Sequence, residues 1–126
     1  MIRLFLLLLI IPFKNYSQQI IFCESVDRTG SAIHASKEFT ISTAGGFIKI
    51  LVKLNKEISS ESVVFDVYKI NDKKEIFNNT LRMDVKPALT WFYKEITFFK
   101  GGDYRIYVYD DKDKLLAIGE VRINLR

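Results

Sequence analysis

The residues able to do chemistry are few and do not converge. His34 is the only histidine, and it lies in a polar stretch, residues 31–36, with no serine or cysteine in a nucleophile context nearby. It reads as a solvated loop histidine rather than a base or a metal ligand. Asp110, Asp111 and Asp113 are the one run of acids whose oxygens could gather round a hard cation. They lack the glycine and the distal glutamate of a calcium-loop pattern, and Lys112 and Lys114 interleave with them, so a polar hairpin tip is expected. Cys23 has no second cysteine to pair with and reads as a small buried hydrophobe. No catalytic residue, metal or cofactor is assigned on these grounds, and the chain is expected not to be an enzyme.

Binding chemistry has more to work with. If strand parity holds, Tyr68, Tyr107 and Tyr109 share the solvent side of one sheet, bordered by Asp66, Arg105, Glu120 and Arg122. Tyrosine and arginine supply large contact area with few torsions and keep a polar tip, the properties of binding hot spots. The candidate binding residues are therefore Tyr68, Arg105, Tyr107, Tyr109 and Arg122. Ordinary cross-strand pairing of aromatics with charges is the plainer account of the same pattern. Trp91 and Tyr93 are expected on the other sheet.

These side chains require strands to hold them. Ile48, Ile50, Val52 and Leu54 alternate with Lys49 and Lys53, the clearest half-buried strand in the chain. Val63, Phe65 and Val67 point inward from a strand over 63–70, with Asp66 and Tyr68 outward. Asn71-Asp-Lys-Lys74 turns into a weaker strand over 75–85, and Pro87 marks a crossing loop. The aromatic run 91–99 alternates imperfectly, because Lys94 falls on the side shared by Phe92, Ile96 and Phe98. A bulge or an edge position would resolve this, and either Trp91 or Phe92 could be the buried one. Tyr104, Ile106 and Val108 point inward opposite Ala117, Gly119, Val121 and Ile123. Gln19 to Ser25 reads as an edge strand, Asp27-Arg-Thr-Gly-Ser31 as a turn, and 37–43 as a short strand. Asn78-Asn-Thr80 matches a glycosylation sequon.

No stretch has capped helical periodicity. Gly101-Gly-Asp-Tyr-Arg-Ile-Tyr-Val-Tyr-Asp110 resembles the G-x-Y-x-x-x-V strand near the end of fibronectin-type and other immunoglobulin-like domains, with Tyr104 at the corner position. The wider layout is similar to small exported domains of Gram-negative bacteria. The resemblance implies an all-β, immunoglobulin-like antiparallel sandwich of about seven strands, without the inter-sheet disulfide of antibody domains. A small barrel is the structural alternative.

Residues 1–18 are of another kind. Arg3 precedes an apolar run from Leu4 to Phe13, and a polar segment follows, the order of a cleavable signal peptide. Cleavage is expected after Ser17 or Gln18, leaving 19–126 as one immunoglobulin-like domain. The leader takes Arg3 and Lys14 with it, lowering the formal charge from +4 to +2. Nothing resembles the clustered cationic stripe that phosphate backbones require, so nucleic acid is not an expected partner. The resulting expectation is an exported binding or assembly module in the periplasm, at the cell surface or outside the cell. It would dock a protein through a sheet face or edge. A secreted hydrolase inhibitor presenting loop 27–36 or 55–61, or a carbohydrate-binding module, are the alternatives.

Overall fold

Alternation becomes strand wherever the sequence carries it. The computed structural model describes residues 19–126; the expected signal peptide, 1–18, lies outside the described residues. In chain order the strands are β1 (Gln19–Cys23), β2 (Ser25–Val26), β3 (Ala32–Ile33), β4 (Glu38–Ile41), β5 (Gly46–Lys53), β6 (Ser62–Asn71), β7 (Lys74–Asp84), β8 (Trp91–Phe98), β9 (Gly102–Asp110) and β10 (Leu115–Leu125). Among the described residues there is no helix.

Three strands in the order β1-β5-β8 make one sheet, and five in the order β4-β10-β9-β6-β7 make the other. Their inner faces close a common core. Ile48, Ile50 and Val52 of β5 and Phe92, Ile96 and Phe98 of β8 meet the inward residues of β6, β9 and β10, all of them buried. Two aromatic contacts cross between the sheets. Phe65 meets Phe92 edge-on at 6.4 Å, and Phe98 meets Tyr104 at 4.7 Å. The molecule is a β-sandwich, and hairpins β6–β7 and β9–β10 with crossings between sheets give it an immunoglobulin-like strand order. Both sheets and the core between them are formed within the described residues.

Tyr104 completes the corner that the sequence motif implied. Its ring is buried, and its hydroxyl donates to the carbonyl of Lys100 at 2.7 Å, four residues upstream. The strand start is thereby pinned to the loop that delivers it.

Three expectations are corrected. The sandwich is not wholly antiparallel, because β4 pairs parallel to the end of β10, with Glu38 opposite Arg122 and Ile41 opposite Leu125. The chain leaves the first sheet after β1 and joins the second at β4, so the first edge is shared between layers. The described residues form ten strands rather than about seven. The stretch 31–36, expected to be irregular, contributes β3, which pairs with β2 as a small hairpin.

That hairpin covers the outer face of the three-stranded sheet. Asp27 organises its turn, accepting from the backbone N–H groups of Thr29 and Ser31 at 2.8 and 3.0 Å. Gly30 follows at φ 85° and lies against the Trp91 indole, where a Cβ would stand 2.6 Å from ring carbons. Only glycine fits both the conformation and the space. Beneath the hairpin, Leu51 and Cys23 are fully buried although they point away from the main core. Trp91 therefore lies half-buried under the hairpin, and Phe92 is the core residue.

Candidate functional site

The outer face of the five-stranded sheet collects the tyrosines. β6 pairs antiparallel with β9, placing Asp66 opposite Tyr107 and Tyr68 opposite Arg105. β10 lies on the other side of β9, with Ile118 opposite Tyr107 and Glu120 opposite Arg105. On the far side of β6, Phe77 of β7 stands opposite Tyr68. Side chains on one face of neighbouring strands meet directly or diagonally, so the rings form a slanting row. Phe77 contacts Tyr68 edge-on at 5.7 Å, Tyr68 contacts Tyr107 edge-on at 5.5 Å, and Tyr107 lies 6.4 Å from Tyr109.

Charges lock the row in place. The Arg105 guanidinium sits between two acids, 2.6 Å from Glu75 and 2.6 Å from Glu120. The Tyr107 hydroxyl donates to the same oxygen of Glu75 that Arg105 holds. Burial pushes the Tyr107 phenol up to about 12, and the hydrogen bond to Glu75 adds to it. Tyr68 is raised as well, by burial first and then by the charges of Asp66 and Glu75. For Arg105, partial burial pulls downward, but the hydrogen bonds to Glu75 and Glu120 outweigh it and the guanidinium ends above its ordinary value. These groups stay in one charge state across the physiological range.

Of the five expected binding residues, the sheet brings Tyr68, Arg105, Tyr107 and Tyr109 together. Arg122 is one cross-strand row away, where it pairs with Asp103 at 2.8 Å; its hydrogen bond holds the Asp103 carboxyl below its usual range. Sequence reasoning missed Phe77, which is 57% exposed. The β6–β7 register shifts at Asn78, between Val67 and Tyr68 of the facing strand, and this bulge reverses which residues of β7 face outward. Two consecutive asparagines in mid-strand were the available signal, since asparagine is depleted in regular strands.

The ring planes are not shared. Tyr107 and Tyr109 are within 15° of parallel, but Tyr68 stands at 83° to Tyr107. Such a surface is ridged rather than flat.

The other candidates settle into structural work. Asp110 is buried and accepts from the backbone N–H of Lys112 at 2.8 Å and of Lys114 at 2.9 Å, so it builds the β9–β10 turn. Asp111 reaches across to accept from the Glu61 N–H at 3.2 Å, and its own N–H donates to the buried Ser60 hydroxyl at 2.9 Å. Among the described residues no group of three or more acids, histidines or cysteines is placed to hold a metal ion. His34 is exposed on a backbone at φ 58° and contacts Glu24 at 3.0 Å. Cys23 donates weakly to the Lys49 carbonyl at 3.9 Å, and burial pushes its thiol above the ordinary value. A groove of about 540 Å³ runs beside β1 and β10, where Ile20 packs on Gly119.

No protein-family profile matches the chain, and neither does any curated protein. Among solved structures it is similar to a CARDB domain from Pyrococcus furiosus, at 13% identity and a TM-score of 0.45, over 86% of this chain and 92% of that one. It is also similar to a superoxide reductase from Ignicoccus hospitalis, at 11% identity and a TM-score of 0.42, over 85% of this chain and 83% of the other. A β-glucosidase from Kluyveromyces marxianus is matched at 13% identity and a TM-score of 0.38, over 75% of this chain and 15% of the enzyme. The expectation that the chain is not an enzyme is corrected by these matches. Enzymes stand beside the CARDB domain among them, so that expectation is withdrawn. The sandwich itself is assigned from the strand order and register above.

Proposed function

We propose that this domain is a binding or assembly module of an exported protein, docking a protein partner through the outer face of its five-stranded sheet. The carrying observation is the row Phe77, Tyr68, Tyr107 and Tyr109, held by the Arg105 bridge to Glu75 and Glu120. Aromatic side chains already fixed by their neighbours lose little rotamer freedom on binding, which is where much of the cost of association lies. A ridged surface with two phenols also suits a protein groove, which can follow its relief. Export rests on the order of charge and apolar residues in 1–18.

The test is affinity capture from the producer's own envelope extract with residues 19–126 and with a Tyr107→Ala/Tyr109→Ala variant. One protein is expected to be enriched by the native domain, with recovery reduced at least about tenfold by the variant. Equal recovery by both would assign recognition to some other surface. Phe77→Ala should weaken the same interaction, because its ring is the exposed end of the row.

A further inference from the structure

Two strands flank each sheet, and the four edges they form are unequal. β1 has five residues and β4 has four. β8 carries Lys94 on its core-facing side, opposite Ile50, a charge that an incoming strand would have to bury. β7 has eleven residues, no proline, and Ile76, Asn79, Leu81 and Met83 on its core-facing side. Ile76 is 50% exposed. A long edge with these features is a template for another strand.

We propose that β7 is a self-association edge, through which two copies of the chain pair antiparallel and merge their five-stranded sheets into one of ten strands. The bulge selects the register. Before Asn78 the outward residues are Glu75 and Phe77; after it they are Thr80, Arg82 and Asp84. Directly opposed residues of an antiparallel pair point to the same side of the sheet. Because the bulge reverses parity halfway along, β7 meets a second β7 with matching faces when Asn78 lies opposite Asn79 of the second copy. Ile76 is then opposite Leu81, Phe77 opposite Thr80, and Glu75 opposite Arg82, each occurring twice by symmetry. Among the described residues Arg82 makes no ion pair within its own chain. Sliding the strands by two residues turns the faces out of match at the bulge, with Asn79 against Thr80, and puts Glu75 against Asp84 in one direction. In the other it puts Arg82 against Lys73. Both contacts are between like charges, so charge and parity select the same alignment. The proposal is independent of what docks on the aromatic face, although the merged sheet would carry two aromatic rows on one side.

Sedimentation equilibrium of residues 19–126 over a range of concentrations tests it. A reversible monomer–dimer equilibrium is expected. Arg82→Glu sets like charges opposite each other at two symmetric positions and should weaken the dimer at least about tenfold. Ile76→Lys places a cation on the core-facing side of β7, as Lys94 does on β8, and should abolish the dimer. Circular dichroism of both variants at dilute concentration should match the native domain, since each substituted position is exposed. A native domain that stays monomeric throughout, or a dimer indifferent to both variants, overturns the interface. A dimer lost with Ile76→Lys but unchanged by Arg82→Glu overturns the register.

Discussion

Tyr107 shows how much one side chain owes to its setting. Its phenol is pushed from an ordinary value of 10 up to about 12 by burial and by the carboxylate of Glu75. The unfolded chain therefore releases this proton first as pH rises. Between about 10 and 12 the unfolded state binds fewer protons than the folded one, so stability is intact below 10 and falls through that window. Tyr107→Phe should lose less stability across the window than the native domain, measured as the shift in denaturant midpoint on either side of it. Identical pH slopes would mean that the phenol titrates freely in the fold. That Tyr107 faces outward was legible from strict alternation with Ile106 and Val108. That Glu75 would reach it was not, because Glu75 is 32 residues away in sequence and arrives through two strand pairings.

At the scale of elements, the β2–β3 hairpin is the piece that sequence patterning could not find. Two strands of two residues each have no room to alternate, and the surface they cover belongs to another part of the chain. Only the Asp27 to Ser31 turn chemistry announced them, and it did so without saying where the turn would lie. The hairpin holds its place through Gly30 on Trp91. Gly30→Ala imposes a left-handed backbone on an alanine, costing about 1–2 kcal/mol, and drives a methyl group into the indole. The hairpin should lift, and Cys23, fully buried beneath it, should react with a thiol reagent markedly faster than in the native domain. Unchanged thiol reactivity with an unchanged melting temperature would show that the hairpin does not depend on this contact. The bulge at Asn78 was marked only by the two asparagines, and for a related reason alternation could not place it: parity read from sequence assumes an uninterrupted ladder, and one inserted residue changes every outward position after it.

For the molecule as a whole, the sandwich was readable because most of its strands carry one apolar and one polar face. Its edges were harder, since an edge is defined by what fails to pair. Lys94 is the instructive case. It broke the alternation of 91–99, and the β5–β8 register runs through it without a shift, so the edge position rather than a bulge accounts for it. Lys94→Val should leave the fold intact while opening the β8 edge, and light scattering should report higher-order association at concentrations where the native domain is soluble. An unaltered scattering profile would remove Lys94 from the devices that protect the edge. The parallel pairing of β4 with β10 has a different kind of consequence. A pull applied between the two ends of the domain loads the leading end of β4 and the trailing end of β10, which lie at opposite ends of their shared ladder. The evenly spaced hydrogen bonds of a parallel pair must then resist together, in shear, whereas a hairpin pulled apart yields one bond at a time. Under tension this short strand would act as a mechanical clasp at the edge of the five-stranded sheet.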